Sequence, residues 1–459
     1  MSGKRVSVAR IVLLVLLVLL GAGMPQARAR SSSSPPPCGF TARVTPPAYL
    51  GMPTRADGTF PARLSQTLVF SDVRRLVPNA GLIPYQLVVS FWSDGAKKLR
   101  WMALPRGRIG FAPTGEWTFP DGTVFIKHFE LGVDESHPAS TRRLETRLLV
   151  RDRDGGVYGA TYKWRADNSD ADLLTRSLTE IIPIRTLDGK VREQVWYYPS
   201  REDCLTCHTA RAGGVLGVKT RQLNRTMIDA AGREDNQLRS WNHIGLFKPR
   251  LEQRSIAALP RLAALDDSTR TLEDRARSYL DANCAHCHRP GGTVANFDAR
   301  YDTPLASQGL IDGPVLINQG IDKPRVIAPH DIWRSIAFMR TNTVGDIRMP
   351  PLARNTLDTQ GIGLLRDWIA SLPGPEVLPP PVLSPVGGTY DAPIVVALQE
   401  ATPGADIHYT LDGTVPGPAD PLYRGPVTLS HPVVLRARAY KEGYTRSITA
   451  QEVYVVGDR

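Results

Sequence analysis

The chain carries two C-x-x-C-H pentapeptides, Cys204-Leu205-Thr206-Cys207-His208 and Cys284-Ala285-His286-Cys287-His288. Two thiols three positions apart lie on one side of a helical turn, where each can form a thioether to a haem vinyl group. The imidazole that follows is then tethered beneath the porphyrin as an axial nitrogen, leaving the opposite position to another side chain. Two covalently bound haem c groups are therefore expected, with Cys204, Cys207, Cys284 and Cys287 as tethers and His208 and His288 as proximal ligands. The competing reading is a zinc site or redox dithiol built from the same cysteines; the histidine directly after each pair favours haem. Of the five cysteines only Cys38 lies outside the pentapeptides, so a disulfide framework is not the explanation, and Cys38 reads as a free thiol.

With 459 residues the chain is too long for one ordinary core, and about two to four domains are expected. Lys4, Arg5 and Arg10 precede an apolar run from Ile11 to Leu20, and Ala27-Arg28-Ala29 has the small-x-small form that signal peptidase reads. The run is short of the roughly 20 residues that span a bilayer, so residues 1–29 read as an export signal rather than an anchor. A periplasmic or extracellular location follows. The formal net charge is +11, part of it within the signal, and the other basic residues are scattered among acids. Without a basic run or an aromatic-interleaved stripe, nucleic acid is not an expected partner. The positive balance suits docking of an acidic redox protein.

Ser31 to Ser34 and Pro35-Pro36-Pro37 predict a linker over 30–39. Residues 40–199 show short β-rich runs divided by Asp57-Gly58, Asp94-Gly95, Asp121-Gly122, Asp154-Gly155 and Asp188-Gly189. Strands are predicted at Leu87 to Trp92, Leu99 to Leu104, Thr123 to Leu131, Arg143 to Val150 and Val157 to Trp164. Their spacing fits an all-β sandwich or barrel. Trp92, Trp101, Trp117 and Trp164 are expected in the core, and His128 and His137, lacking companions at metal-binding spacing, are expected to be structural.

At Ser200 the pattern changes. Ser200-Arg201-Glu202-Asp203 has the form of a helix start directly before Cys204, and residues 200–260 are expected to hold the first haem. The glycines Gly213, Gly214 and Gly217 predict a loop over the porphyrin edge, and a further helix is expected from Asp235 to Gly245. Residues 261–375 hold the second site. Thr271-Leu272-Glu273-Asp274 opens a predicted helix in which Leu272, Ala276, Tyr279 and Leu280 share a face leading into Cys284. Asp358 to Leu372 predicts a closing helix that ends at Pro373-Gly374-Pro375. In Arg348-Met349-Pro350-Pro351 the prolines fix an extended backbone that can hold a thioether toward iron, which makes Met349, ahead of Met339, the expected distal ligand of the second haem. For the first haem His243 and Met227 both stay open, His243 being preferred because it follows a helical stretch.

Residues 271–372 resemble a class I cytochrome c. More broadly, residues 45–372 resemble a family of bacterial dihaem c-type cytochromes with an N-terminal β domain, through Phe91-Trp92-Ser93-Asp94-Gly95-Ala96, Tyr198-Pro199-Ser200, Thr220-Arg221-Gln222-Leu223-Asn224-Arg225 and Arg348-Met349-Pro350-Pro351. Pro379-Pro380-Pro381 predicts a second linker, and residues 376–459, which include it, resemble the immunoglobulin-like module at the C-terminus of chitobiases. The carrying stretches there are Gly387 to Tyr390, Ile407 to Thr414 and Leu435 to Tyr440.

The expected fold is thus multidomain, β plus α: an N-terminal all-β sandwich, a central α-helical dihaem cytochrome c region and a C-terminal immunoglobulin-like β-sandwich. The resemblance implies an exported single-electron carrier with a redox protein donor and acceptor and no catalytic residue of its own. The alternatives are a peroxidase-like dihaem enzyme with an open sixth position at the first haem, or a surface protein contacting glycans through its β modules.

Overall fold

The computed structural model describes residues 42–228, 232–293, 295–352 and 354–457. The predicted export signal, the linker at 30–39 and Cys38 lie outside them. No helix among the described residues is long and apolar enough to cross a membrane.

The N-terminal region is built on a six-stranded antiparallel sheet whose strands follow in order: Leu82–Pro84, Lys97–Ala103, Val124–Gly132, Thr141–Arg151, Val157–Trp164 and Ala171–Leu173. Trp101, Ile126, Leu148 and Ala160 stand opposite one another on one face and join Leu50, Leu64, Phe70 and Trp164 in a core. The other face is covered too. Met102 and Phe125 pack with Trp117, Trp241 and Phe247, and Phe129 packs with Trp196 and Tyr198. Strands buried on both faces read as nearly continuous apolar runs, which is why four of the predicted strands coincide with observed ones. The fifth, Leu87 to Trp92, is not a strand. Val88 and Val89 donate their amides to the main-chain and side-chain oxygens of Gln222, whose Nε2 returns a bond to the Val89 carbonyl. One glutamine satisfies the backbone that a neighbouring strand would otherwise have to satisfy.

Trp101, Trp117 and Trp164 are buried. Trp92 is half-buried, its amide donating to Asn283 Oδ1 at 2.8 Å and its indole to the Thr356 carbonyl at 3.2 Å. His128 is enclosed, with Nδ1 2.8 Å from Thr146 Oγ1, and the exposed His137 bonds to Asp134 and Ser136.

The expected central α-helical dihaem region is overturned. The chain is mostly β, and only six short α-helices occur among the described residues: α1 (Arg201–Cys207), α2 (Thr220–Leu223), α3 (Gln237–His243), α4 (Leu272–Asn283), α5 (Ile336–Thr341) and α6 (Thr359–Ser371). The longest, α6, has 13 residues. Between α4 and α5 come Pro290, Gly291, Gly292, Pro304, Gly309, Gly313, Pro314, Gly320, Pro324 and Pro329, which remove amide donors and favour non-helical backbone. Irregular chain therefore fills the space that a cytochrome would give to helices. The N-terminal part likewise departs from a simple sandwich, because its remaining strands form two-stranded ribbons such as Leu178–Arg185 with Val191–Tyr198.

The helix starts follow the sequence closely. Ser200 Oγ accepts from the Asp203 amide at 3.2 Å and Asp203 Oδ2 accepts from the Ser200 amide at 2.8 Å, a reciprocal cap on α1. Thr271 caps α4 and Asp358 caps α6. Helix α3 begins after Asp235, because Glu234–Asn236 pairs with Thr226–Ile228 and Asn236 becomes the cap. Helices α4 and α6 pack through Ala276, Tyr279, Leu280, Leu365, Trp368 and Ile369. Gly361 permits the close crossing, since a Cβ there would lie 2.3 Å from the Tyr279 ring.

The C-terminal part is a pair of sheets. Val382–Ser384, Ile394–Gln399 and Val427–Leu429 form one, and Gly388–Tyr390, Ala450–Val456, Val433–Tyr440 and Asp406–Thr410 form the other. Leu383, Val396, Leu398, Ile407, Leu435 and Tyr454 belong to the core they share. The predicted linker before it is pinned: the Leu378 amide donates to the Thr445 carbonyl at 3.0 Å, and the Thr445 amide to the Glu376 carbonyl at 2.7 Å. Asp322 completes the attachment by pairing with Arg334 at 3.3 Å, Arg438 at 3.4 Å and Arg446 at 3.0 Å. Replacing Asp322 by alanine leaves the buried Arg438 guanidinium without its carboxylate. Limited proteolysis is expected to cleave near residues 376–381 markedly faster in Asp322→Ala than in the wild type; equal rates would show that Asp322 does not hold the module.

Candidate functional site

Only Pro199 and Ser200 separate α1 from the strand Val191–Tyr198, so the first pentapeptide is delivered directly onto the sheet. Gly159 makes room for it: a Cβ at that position would come within 2.5 Å of Cys204 Sγ. His208 closes α1, and its Nδ1 lies 2.7 Å from the Gly214 carbonyl. A carbonyl only accepts, so the proton sits on Nδ1 and Nε2 keeps its lone pair. Burial takes the His208 pKa down to about 4, with Lys127 and Arg147 acting in the same direction. The imidazole is therefore neutral at ordinary pH. Cys204, Cys207 and His208 all line one cavity, with Phe125, Leu149 and Val218 among its apolar walls.

The second pentapeptide continues from α4, the Cys284 amide donating to the Leu280 carbonyl at 2.8 Å. Burial pushes the Cys284 thiol up to about 12. The His288 ring stacks on Phe297, with centroids 4.2 Å apart and planes 14° apart. Its Nδ1 is buried without a hydrogen-bond partner among the described residues, and burial lowers its pKa to about 4. Met349 donates its amide to the Arg340 carbonyl at 2.8 Å, and Arg354 donates to the Met349 carbonyl at 2.8 Å. The Arg340 charge is felt by His288 and adds to the lowering of its pKa.

A loop from the N-terminal region fixes that segment. The Asp94 carboxylate accepts from the Asn355 amide at 2.6 Å, the Thr356 amide at 2.8 Å and both of their side chains at 3.1 Å. Phe91, in the same loop, meets His286 edge-on at 5.6 Å.

The two pentapeptides meet. The ligand atoms of Cys207, His286 and Cys287 all lie within 4.8 Å of one another. The Cys207 thiol hydrogen-bonds Cys287, which raises the Cys207 pKa; the same bond, followed by one to His286, lowers Cys287. Sequence reasoning passed over His286, because an inner position of C-x-x-C-H has no role in tethering. His243 sits at the exposed end of α3 and Met227 in the ribbon strand Thr226–Ile228, and neither lines the cavity.

A buried ion pair and a half-buried one line the cavity on the side of the second pentapeptide. Lys219 lies 2.8 Å from Asp281, and Arg289 lies 2.9 Å from Glu116. Burial pulls the Lys219 pKa down, but Asp281 and Glu116 outweigh it and the net shift is upward.

The first pentapeptide fits a covalent haem: both thiols are free, both open into the cavity, and the imidazole is neutral with one nitrogen held by a carbonyl. At the second, both thiols are free, but of its residues only His286 lines that cavity, and the buried His288 Nδ1 has no hydrogen-bond partner among the described residues. The Cys207, His286 and Cys287 trio also has the donor set of a soft metal site.

Residues 385–451 match the chitobiase/beta-hexosaminidase C-terminal domain, to which the C-terminal sandwich is thus similar. No curated protein matches the chain.

Lys219→Met leaves the Asp281 carboxylate buried and unpaired, and urea unfolding is expected to show a loss of about 3–5 kcal/mol. The double variant Lys219→Met, Asp281→Leu is expected to recover most of it. A single variant as stable as the wild type would remove the pair from any role in closing the cavity.

Proposed function

We propose that this is an exported dihaem c-type cytochrome that passes single electrons between redox proteins. The observation that carries the reading is the meeting of the two C-x-x-C-H pentapeptides at Cys207 and Cys287, beside a cavity that both line in part. Two groups tethered there lie close enough together for electrons to pass between them. Haem, when bound, supplies the one-electron iron couple. The chain's own residues tether and orient it. Cys204 with Cys207 and Cys284 with Cys287 form the thioethers, and His208 and His288 supply the proximal nitrogens. The Gly214 carbonyl fixes the His208 tautomer, and Met349 would be the second side chain to hold the iron of the second haem. The resemblance to bacterial dihaem cytochromes, carried by the stretches around Asp94, Gln222 and Met349, supports the same reading. With no residue required as acid, base or nucleophile, electron transfer is preferred to peroxidase-like chemistry. The C-terminal module serves as a docked spacer, and glycan or cell-surface attachment is its alternative role.

A second reading rests on the donor trio. In a chain without covalent haem, Cys207, His286 and Cys287 are placed to hold a zinc ion.

The full chain, expressed with a haem-maturation system, is expected to carry the mass of two haems. Cys204→Ala with Cys207→Ala, and Cys284→Ala with Cys287→Ala, should each carry one. Met349→Ala is expected to open the second haem to carbon monoxide. A chain without covalent haem but with stoichiometric zinc would replace the first reading by the second.

A further inference from the structure

The sheet face that looks toward the first pentapeptide is arranged in rungs across four strands. Met102, Phe125, Leu149 and Gly159 stand opposite one another in one rung, and Arg100, Lys127, Arg147 and Thr161 in the next. Arg100, Lys127 and Arg147 all line the cavity that also receives Cys204, Cys207 and His208. Like charges directly opposite in a sheet repel; Arg100 is buried, 8% exposed, while Lys127 and Arg147 are half-buried.

The acids nearby are already engaged. Glu145, on the neighbouring rung and fully buried, holds Arg147 at 2.6 and 2.9 Å and accepts from the Trp196 indole at 3.1 Å. Glu116 is paired with Arg289 and Asp281 with Lys219. Asp203 accepts from the Ser200 amide and the Tyr197 hydroxyl. Arg100 meets the Ser90 hydroxyl at 2.8 Å and has no carboxylate among the described residues. Lys127 has neither hydrogen bond nor ion pair among them; its ammonium lies 6.0 Å from the Phe91 ring centroid and 5.1 Å from that of Phe129. Lys98, one rung away, turns its ammonium to the Phe91 carbonyl at 2.7 Å. Burial first, and then Arg100, Lys98 and Arg147, press the Lys127 pKa well below its usual value. Arg147 has its anion in Glu145, but Arg100 and Lys127 have no carboxylate partner among the described residues, which is costly where water is scarce unless something else supplies the charge.

We propose that Arg100, Lys127 and Arg147 bind a ligand carrying two carboxylates inside this cavity. Two sources share that chemistry. One is the propionate pair of a haem tethered at Cys204 and Cys207, which rests on the haem reading above; the other is a small free dicarboxylic acid. The apolar rung of Met102, Phe125 and Leu149 beside the cations offers a flat, greasy wall next to an anionic head, which suits either source.

Lys127→Met and Arg100→Gln in the full chain test this, with covalent haem counted by mass in each. Where haem is attached, removing a nearby cation favours the more positive ferric state. The midpoint potential of one haem is then expected to fall in both variants while that of the other holds. Where none is attached, succinate is the probe. It is expected to raise the Tm of the wild-type chain and to bind about tenfold more weakly to Lys127→Met. Either result supports the proposal and identifies the source. Unchanged potentials in haem-bearing variants, or no succinate effect on a haem-free chain, would overturn it. A haem count of zero overturns only the haem reading and leaves the succinate result to decide this one.

Discussion

The buried pair of Lys219 and Asp281 is the interaction on which the rest of the site depends. Lys219 stands just before α2 in the first-pentapeptide region, and Asp281 lies near the end of α4, immediately before the second pentapeptide. Taking two charges out of water is costly, and the geometry offsets this by contact at 2.8 Å and by a further bond from the Tyr301 amide to Asp281 at 3.0 Å. The pair therefore tolerates only one arrangement of the two regions. Arg289 and Glu116 repeat the device nearby. Between them they bring the pentapeptides to the point where Cys207 faces Cys287.

The stretches that carry the resemblance to dihaem cytochromes turn out to be clamps. Gln222 holds the Val88–Val89 backbone, and Arg225 Nη1 reaches the Leu87 carbonyl at 2.6 Å. Asp94 takes four hydrogen bonds from Asn355 and Thr356. Asp94 and Gly95 both adopt positive φ, 48° and 75°, so the loop turns sharply enough to present its carboxylate. Gln222 and Asp94 are buried and Arg225 is half-buried, and each bonds backbone that lacks a secondary-structure partner. Irregular backbone of this kind persists only where side chains satisfy it, which explains how a region with so few helices is held in one conformation.

The same thiols are candidates for two chemistries. Free Cys207 and Cys287 beside His286 make a soft donor set, whereas thioether formation consumes both sulfurs and leaves His286 unengaged. The two candidate states exclude each other at these sulfurs. The cation rung of Arg100, Lys127 and Arg147 bears on the choice between them, because it attracts anions and repels free metal cations.

Much of the local structure was legible in the sequence. The caps Ser200, Thr271 and Asp358, the four central strands of the sheet and the helices α4 and α6 follow from propensity and periodicity, which act over a few residues. The spacing of the pentapeptides is the ground of the haem proposal. The helical content of the central region was misjudged, since prolines and glycines between α4 and α5 outweigh the two strong helices that bracket them. Tertiary structure alone decided that the pentapeptides meet, that His286 joins Cys207 and Cys287, and that His243 and Met227 stay outside the cavity. It also placed Arg100, Lys127 and Arg147 in one rung. Register between strands and contact between segments nearly two hundred residues apart, as at Trp92 and Asn283, depend on which buried charges and amides find partners. No local pattern encodes that pairing.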